Sequence, residues 1–313
     1  MSLVTSQSVH RALVNAPQDV VFDLIADMEE QRRIFQSVIH TAQLGRDDAG
    51  DRVERWSWIR PLDAVRSWRA RRELDRSAGR ITFAHENPPA PLTAVSGEWQ
   101  FTAQPAGATL VELRHEYAFD DGAPDGKETV ELLDRGSAAQ LNQLSDFVEA
   151  KADIDELQVS YESELLINEP IEDVYTYFSD ASRWNERIPH CLGATLKEET
   201  PNLQVVTMDV QVPSGAVHTT KQARVCFPNE KIIWRQLEGL PPLDDALYGY
   251  MLFTQAAEGV LVRTGQTELL KRNGVAKRGW TVAEAKHHVA EVRGGRNLDS
   301  LKSAQEYLSR RRA

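Results

Sequence analysis

The stretch ALVNAPQDVVFDLIAD (residues 12–27) comes back as LLINEPIEDVYTYFSD (residues 165–180). Asn15, Pro17, Val21 and Asp27 meet Asn168, Pro170, Val174 and Asp180 at a constant offset of 153. Farther along, GEWQFTAQPAG (97–107) meets GYMLFTQAAEG (249–259) at an offset of 152. There Gly97, Phe101, Thr102 and Gly107 match Gly249, Phe253, Thr254 and Gly259. So small a drift leaves the register intact, and one architecture has been written twice. A chain of 313 residues suits two domains, and the repeat places them at 1–152 and 153–313.

Each copy reads alike from that anchor. A short strand, about 7–14 in the first copy and 159–167 in the second, ends at Asn-x-Pro. The proline opens a helix, where a missing N–H leaves no bond unmade. Apolar spacing at Val20, Val21, Leu24 and Ile25, and at Val174, Tyr177 and Phe178, makes that helix short and one-sided. A second short helix follows. Then come several strands set off by turns at Asp47–Gly50, Ser77–Gly79, Pro105–Gly107, Pro228–Asn229 and Glu258–Gly259. In the first copy Val130, Leu133, Ser137, Leu141, Leu144 and Val148 form one stripe of a long closing helix. In the second, the spacing predicts a helix over 298–310, with 271–297 interrupted by Gly274, Gly279 and Gly294–Gly295. The order predicts an α+β fold: a curved antiparallel sheet wrapped around its final helix, with a pocket between them.

At 41% hydrophobic and 27% charged, each half can bury an ordinary core. No run approaches the roughly 18–20 apolar residues of a membrane span. The opening residues, MSLVTSQSVHRALV, lack the basic-then-apolar pattern of a secretory signal. Cys191 and Cys226 are too few for a disulfide framework and show no metal-ligand spacing, so the cytoplasm is the expected compartment. A net charge of −11 argues against nucleic acid as a partner. The basic runs Arg69–Arg71–Arg72 and Arg310–Arg311–Arg312 read first as solvated faces.

The strand 66–74 carries the first functional signal. Side chains alternate along a strand, so Trp68, Ala70, Arg72 and Leu74 share one face and Ser67, Arg69, Arg71 and Glu73 the other. The first row reads as inward, and a buried guanidinium is costly unless something pairs with it. Either Arg72 meets a carboxylate on a neighbouring element, or it faces a ligand. At offset 152 it lands on Arg224, in a row with Thr220, Gln222 and Cys226, while Ala223, Val225 and Phe227 take the opposite face.

The doubled pattern, the start NAPQDVVFDLIAD (15–27) and the tract VRSWRARR (65–72) resemble the didomain aromatase/cyclases of bacterial type II polyketide synthases. These belong to the helix-grip (Bet v 1/START-like) superfamily, and the resemblance covers nearly the whole chain. Single-domain relatives alternate Trp, a small residue and Arg toward the pocket. Trp68, Ala70 and Arg72 match that pattern, with Trp99 on a later strand, and alanine stands where serine is frequent. The resemblance implies two tandem helix-grip domains and an enzyme of the lyase type that needs no cofactor. Its substrate would be a ketoreduced poly-β-ketone on an acyl carrier protein, with other synthase components as further partners. Its reaction would be regiospecific first-ring aldol cyclisation followed by loss of water.

That chemistry asks for a base, a positive donor for the enolate, and an acid for the departing hydroxyl. Arg72 and Arg224 are the candidate donors, because a guanidinium stays charged and offers several N–H groups. His190, after the second short helix of the second half, is the candidate acid or base, with Asp209 and His218 behind it. Aromatic walls would hold one chain conformation among many. Trp56, Trp58, Trp68, Phe83 and Trp99 are the candidates in the first half, and Tyr177, Trp184, Trp234, Tyr248 and Tyr250 in the second. Thr220 and Gln222 would add polar contacts. Any of these rings also suits plain core packing, and Asp27 and Asp180, at helix ends, suit turn or capping roles.

The sequence has no H-E-x-x-H, C-x-x-C, G-x-S-x-G or P-loop. The adjacent His287 and His288 point to different faces of a helix, a poor geometry for a shared metal. A non-catalytic carrier of lipids or polyketides on the same fold is the competing reading, and an interaction module the third. An inward arginine among aromatic residues favours the first two. A pure carrier would have a more uniformly apolar row than Trp–Ala–Arg.

Overall fold

The computed structural model describes residues 2–48, 50–188, 190–211 and 215–312. The chain divides into two compact units, Met1–Ser57 with Ser67–Ala152, and Trp58–Arg66 with Asp153–Ala313. The first half runs β1 (Leu3–Val14), α1 (Gln18–Ala26), α2 (Glu30–Ile34), β2 (Val38–Arg46), β3 (Gly50–Ile59), β4 (Ala64–Asp75), β5 (Arg80–His85), β6 (Leu92–Ala103), β7 (Thr109–Asp120) and α3 (Gly126–Leu157). Its seven strands lie in the order β1-β7-β6-β5-β4-β3-β2. Consecutive strands pair as hairpins, except that β1 and β2 form opposite edges, so α1 and α2 must carry the chain across.

The second half repeats this with β8 (Gln158–Ile167), α4 (Ile171–Ser179), α5 (Trp184–Arg187), β9 (Cys191–Thr200), β10 (Leu203–Gln211), β11 (Val217–Phe227), β12 (Lys231–Glu238), β13 (Asp244–Ala256), β14 (Gly259–Leu270), α6 (Arg272–Lys277) and α7 (Val282–Arg312). Its sheet order is β8-β14-β13-β12-β11-β10-β9. Each half is an antiparallel sheet with one long helix, the α+β pattern expected from the element order. Pro17 and Pro170 hold extended backbone just before α1 and α4, so both helices begin one residue after the proline. Asp27 and Asp180 end those helices, and Asp27 Oδ1 accepts the Glu29 N–H at 2.8 Å.

The last helix departs from expectation. It runs unbroken through Gly294 and Gly295, starting at 282 rather than 298. Two glycines cost about 1 kcal/mol each in a helix interior. Packing outweighs that cost: Ala285, Val289, Leu301 and Ala304 are all buried. A capping box opens the helix, with Thr281 Oγ1 accepting the Glu284 N–H at 3.2 Å and Glu284 accepting the Thr281 N–H at 2.7 Å.

Register decides which side chains turn toward α3 in the first half. Ser8 lies opposite His115, His115 opposite Gly97, Gly97 opposite Phe83, and Phe83 opposite Arg72. The inner rows are therefore Asp51, Val53, Arg55 and Ser57 on β3, Trp68, Ala70 and Arg72 on β4, and Ile81, Phe83 and His85 on β5. Gly97, Trp99 and Phe101 on β6 and Leu113, His115 and Tyr117 on β7 continue them. Ser137, Leu141, Leu144 and Phe147 of α3 are buried. In the second half Cys226, Ile232, Phe253 and Val262 pack with Leu301 and Ala304 of α7. That sets the row Thr220, Gln222, Arg224 and Cys226 inward, a point the sequence left open.

Candidate active site

Both repeated arginines are buried on inner rows, and both grip the end of a helix. Arg72 makes a two-pronged ion pair with Asp51, Nε to Oδ1 at 2.7 Å and Nη2 to Oδ2 at 2.6 Å. It also donates to the Ile25 and Ala26 carbonyls at 3.2 and 2.9 Å. Arg224 donates to the matching carbonyls of α4, Phe178 at 2.6 Å and Ser179 at 3.3 Å. Gln204 stands where Asp51 stands in the first half, and the Trp184 ring lies 4.9 Å under the Arg224 guanidinium. A cation at the last carbonyls of a helix satisfies acceptors that have no intrahelical donor and meets the negative end of its dipole. For Arg72 the carboxylate alternative is the one realised.

A different arginine on an inner row lacks a carboxylate among the described residues. Arg55 shares its row with Asp51, but among the described residues it meets no carboxylate; Nε reaches Ser57 Oγ at 3.3 Å. Its guanidinium lies 5.1 Å over Phe35 and 5.7 Å over Trp68, and burial pushes its pKa down to about 10. His85 stacks on Trp68 with centroids 6.0 Å apart, and its Nδ1 is buried without a hydrogen-bond partner. Burial, and then the charge of Arg55, pushes His85 down to about 4. His115 meets the Phe83 ring edge-on at 5.1 Å, and its Nδ1 lies 3.2 Å from Ser137 Oγ. Burial, then His85 and His10, pushes it down to about 4 as well. Both histidines are neutral at pH 7.

Arg55, Trp68, Phe83, His85 and His115 are only half-buried, yet the three titratable ones have lost most of their hydration. Groups that remain reachable while stripped of water describe the wall of a chamber rather than a packed core. A groove of about 860 Å³ runs along α1 and α2, bordered by Met28, Thr41, Gln43, Asp51 and Leu74, while Arg55, Trp68, Phe83, His85 and His115 do not line it.

The polyketide cyclase / dehydrase and lipid transport family model matches residues 6–149. The granaticin polyketide synthase bifunctional cyclase/dehydratase of Streptomyces violaceoruber is 29% identical over 309 residues, 97% of this chain and 94% of that protein. The crystal structure of the di-domain ARO/CYC BexL from the BE-7585A biosynthetic pathway is 31% identical with a TM-score of 0.82, covering 96% of this chain and 98% of that one. This chain belongs to the didomain aromatase/cyclase family. The di-domain ARO/CYC StfQ from the steffimycin biosynthetic pathway is similar to the same degree, at 30% identity and a TM-score of 0.82 over 97% of this chain and 99% of that one.

Of the residues singled out from sequence, Trp68 and Phe83 lie half-buried on the inner rows beside Arg55 and His85. Trp99 lies on the same face, buried and stacked on Phe101 at 6.5 Å. Trp56 and Trp58 are corrected: alternation puts them on the opposite face of β3, with Glu54, whose carboxylate pairs with outward Arg69 at 3.0 Å. Trp56 stacks on His40 at 5.0 Å, and Trp58 Nε1 donates to Asp63 at 3.1 Å. Tyr250 also faces outward, its hydroxyl on Glu162, and Tyr248 lies 5.1 Å from Arg235 on that face. Tyr177 is core, its hydroxyl donating to the Arg187 carbonyl at 3.2 Å. Trp184 packs under Arg224. Thr220, Gln222 and Trp234 are inward, and Thr220 donates to the Met208 carbonyl at 3.3 Å.

His190 is exposed, lowered by partial desolvation and by Arg296. His218 is exposed too, and Asp209 accepts from Thr219 at 2.7 Å on the surface. Sequence reading missed Arg55, His85 and His115. The signal was available for His85, two residues from Phe83 on one strand, while the other two depended on register. In the second half register puts Met208 where Arg55 stands, Gln236 for His85 and Gln266 for His115. No helix of the described residues is long and apolar enough to cross a membrane, and no group of three metal-ligating side chains occurs among them.

Proposed function

We propose that this aromatase/cyclase closes and dehydrates the first ring of a ketoreduced poly-β-ketone delivered by an acyl carrier protein, in the chamber of residues 1–152. The observation that carries the reading is the placement of Arg55, His85 and His115 on one desolvated wall beside Trp68 and Phe83. Arg55 lacks a carboxylate partner, so an enolate or alkoxide oxygen would complete its charge pairing. Neutral His115 takes the proton from the carbon between two carbonyls. His85, whose Nδ1 lacks a bond, attends the oxygen that leaves as water. When an enolate neutralises Arg55, the field that holds His85 deprotonated weakens, so His85 becomes a better proton holder as negative charge develops. The rings of Trp68 and Phe83 restrict the chain to one fold, which selects the carbons that meet.

Arg72 then acts at one remove. It ties α1 to β3 and β4 and so fixes the wall carrying Arg55. Residues 153–313 form the second domain, whose matching positions carry Met208, Gln236 and Gln266, none of which titrates. No step in this scheme calls on a cofactor.

The test is reconstitution of the minimal synthase and ketoreductase with and without the protein, with products read by mass spectrometry. Catalytic amounts are expected to convert the spontaneous mixture into one dehydrated, ring-closed compound. A carrier without chemistry would alter products only in proportion to its own amount, and that result would overturn the reading.

A further inference from the structure

We propose that Ser137 is a positioning residue for ring closure: it holds the hydrogen of His115 on Nδ1 and so leaves Nε2 as the basic atom. The inference rests on the first half being the site of that reaction. Val130, Leu133, Ser137, Leu141, Leu144 and Val148 form the inner stripe of α3, and Ser137 is its one polar member. It is almost sealed from water, where an unbonded hydroxyl would be costly. Two groups stand within reach of Oγ, the Leu133 carbonyl at 3.0 Å and His115 Nδ1 at 3.2 Å. The hydroxyl has one hydrogen to give. Given to the nearer Leu133 carbonyl, one turn back along the helix, it leaves the oxygen to accept from His115. The imidazole hydrogen then lies on Nδ1.

The ring is held on three sides. Phe83 meets it edge-on at 5.1 Å, and the Tyr117 ring stacks on it with centroids 5.6 Å apart and planes inclined by 4°. Ser137 takes the third side, and it is the only hydrogen-bond partner of the imidazole among the described residues. The second half repeats the arrangement with other side chains. Gln266 lies across from Gly249 and Tyr161 as His115 lies across from Gly97 and Ser8. Its Nε2 donates to Oδ1 of Asn297 on α7 at 2.9 Å. In each half, an oxygen on the long helix receives an N–H from the residue that faces the strand glycine.

The bond made at one imidazole nitrogen decides which of the two carries the hydrogen. Without an acceptor at Nδ1 the hydrogen goes to Nε2, and the open side of the ring becomes a donor, unable to take a proton from carbon. With Ser137 in place Nε2 is bare. It takes the proton from the carbon between two carbonyls, and the electron pair of that C–H bond stays on the enolate opposite Arg55. The imidazolium keeps its Nδ1 hydrogen on Ser137. Its Nε2 proton goes to the alkoxide that the new C–C bond leaves behind.

Ser137→Ala in the full chain tests this, since it removes one oxygen and adds no bulk. Nuclear magnetic resonance of isotope-labelled histidine reads which ring nitrogen carries the hydrogen, with His115→Gln marking the signal. The reconstituted synthase and ketoreductase read the rate of ring closure. In the unaltered protein at pH 7 the hydrogen is expected on Nδ1. In Ser137→Ala it is expected to move to Nε2, with kcat lowered at least about tenfold and KM unchanged. A hydrogen already on Nε2 in the unaltered protein would overturn the inference. So would a Ser137→Ala variant that keeps the tautomer, whether or not it loses rate, or one that changes tautomer at full rate. His115→Gln, assayed beside it, tests the ring-closure reading separately: normal product there sinks that reading, whereas the tautomer is read without any substrate.

Discussion

Two inward arginines in one sheet make different contacts, and substitution should separate them. Arg72 and Asp51 are both almost sealed from water, with side chains 7% and 3% exposed. Arg72→Met would strand a buried carboxylate and two helix-end carbonyls, so a loss of about 3–5 kcal/mol in urea unfolding is expected. Arg55→Met removes a half-buried cation that meets no carboxylate among the described residues and should leave stability level or raised, while ring closure is expected to fall by about 10²–10³. The inverse pattern would mean the roles are exchanged. Sequence placed Arg72 on the right row because alternation along one strand is local. It could not supply Asp51, 21 residues earlier on another strand, because pairing across strands depends on register. Trp56 and Trp58 failed for a related reason: their type suited a pocket wall, but their parity on β3 set them on the far face.

Among the elements, the repeat made the helix pair and the long first helix legible, because apolar spacing and Asn-x-Pro are local signals. The final helix was misread where its glycines fall. A methyl group added at Gly295 would meet nothing within 4 Å. Gly295→Ala should therefore stabilise the protein by about 1 kcal/mol, read as a raised midpoint in thermal unfolding. Gly97 is the contrary case. A methyl there would meet the Arg114 carbonyl oxygen at 2.1 Å and the Phe83 ring at 2.6 Å. Gly249 repeats the arrangement under Trp234, with contacts of 2.4 Å to the Gly265 oxygen and 2.7 Å to the indole. Each half thus lays an aromatic ring over a strand glycine. Gly97→Ala is expected to cost about 1–3 kcal/mol and to displace Phe83 from the chamber wall.

Across the whole molecule, the two halves share a backbone plan but differ in what titrates inside. His85 and His115 have folded-state pKa values well below the ordinary 6.5. Between about 4 and 6.5 the unfolded chain binds more protons than the folded one, so their contribution to stability is lost as pH falls through that window. Each histidine accounts for up to about 3 kcal/mol. Asp244, which shares Arg293 with Glu268 inside the second half, is raised by burial and works the other way, favouring the folded state as pH falls. Two histidines against one carboxylate leave a net loss in acid. Urea unfolding between pH 4 and 7 should show it, with a smaller loss in His115→Gln.

Catalysis by the first half alone is tested most directly by comparing His115→Gln with Gln266→Ala, its counterpart in the second half. Each full-length variant is supplied in catalytic amount to the reconstituted synthase and ketoreductase, and the ring-closed product is quantified. His115→Gln should return the mixture formed without the protein, and Gln266→Ala should keep the wild-type product. Normal product from His115→Gln, with loss in Gln266→Ala, would contradict it.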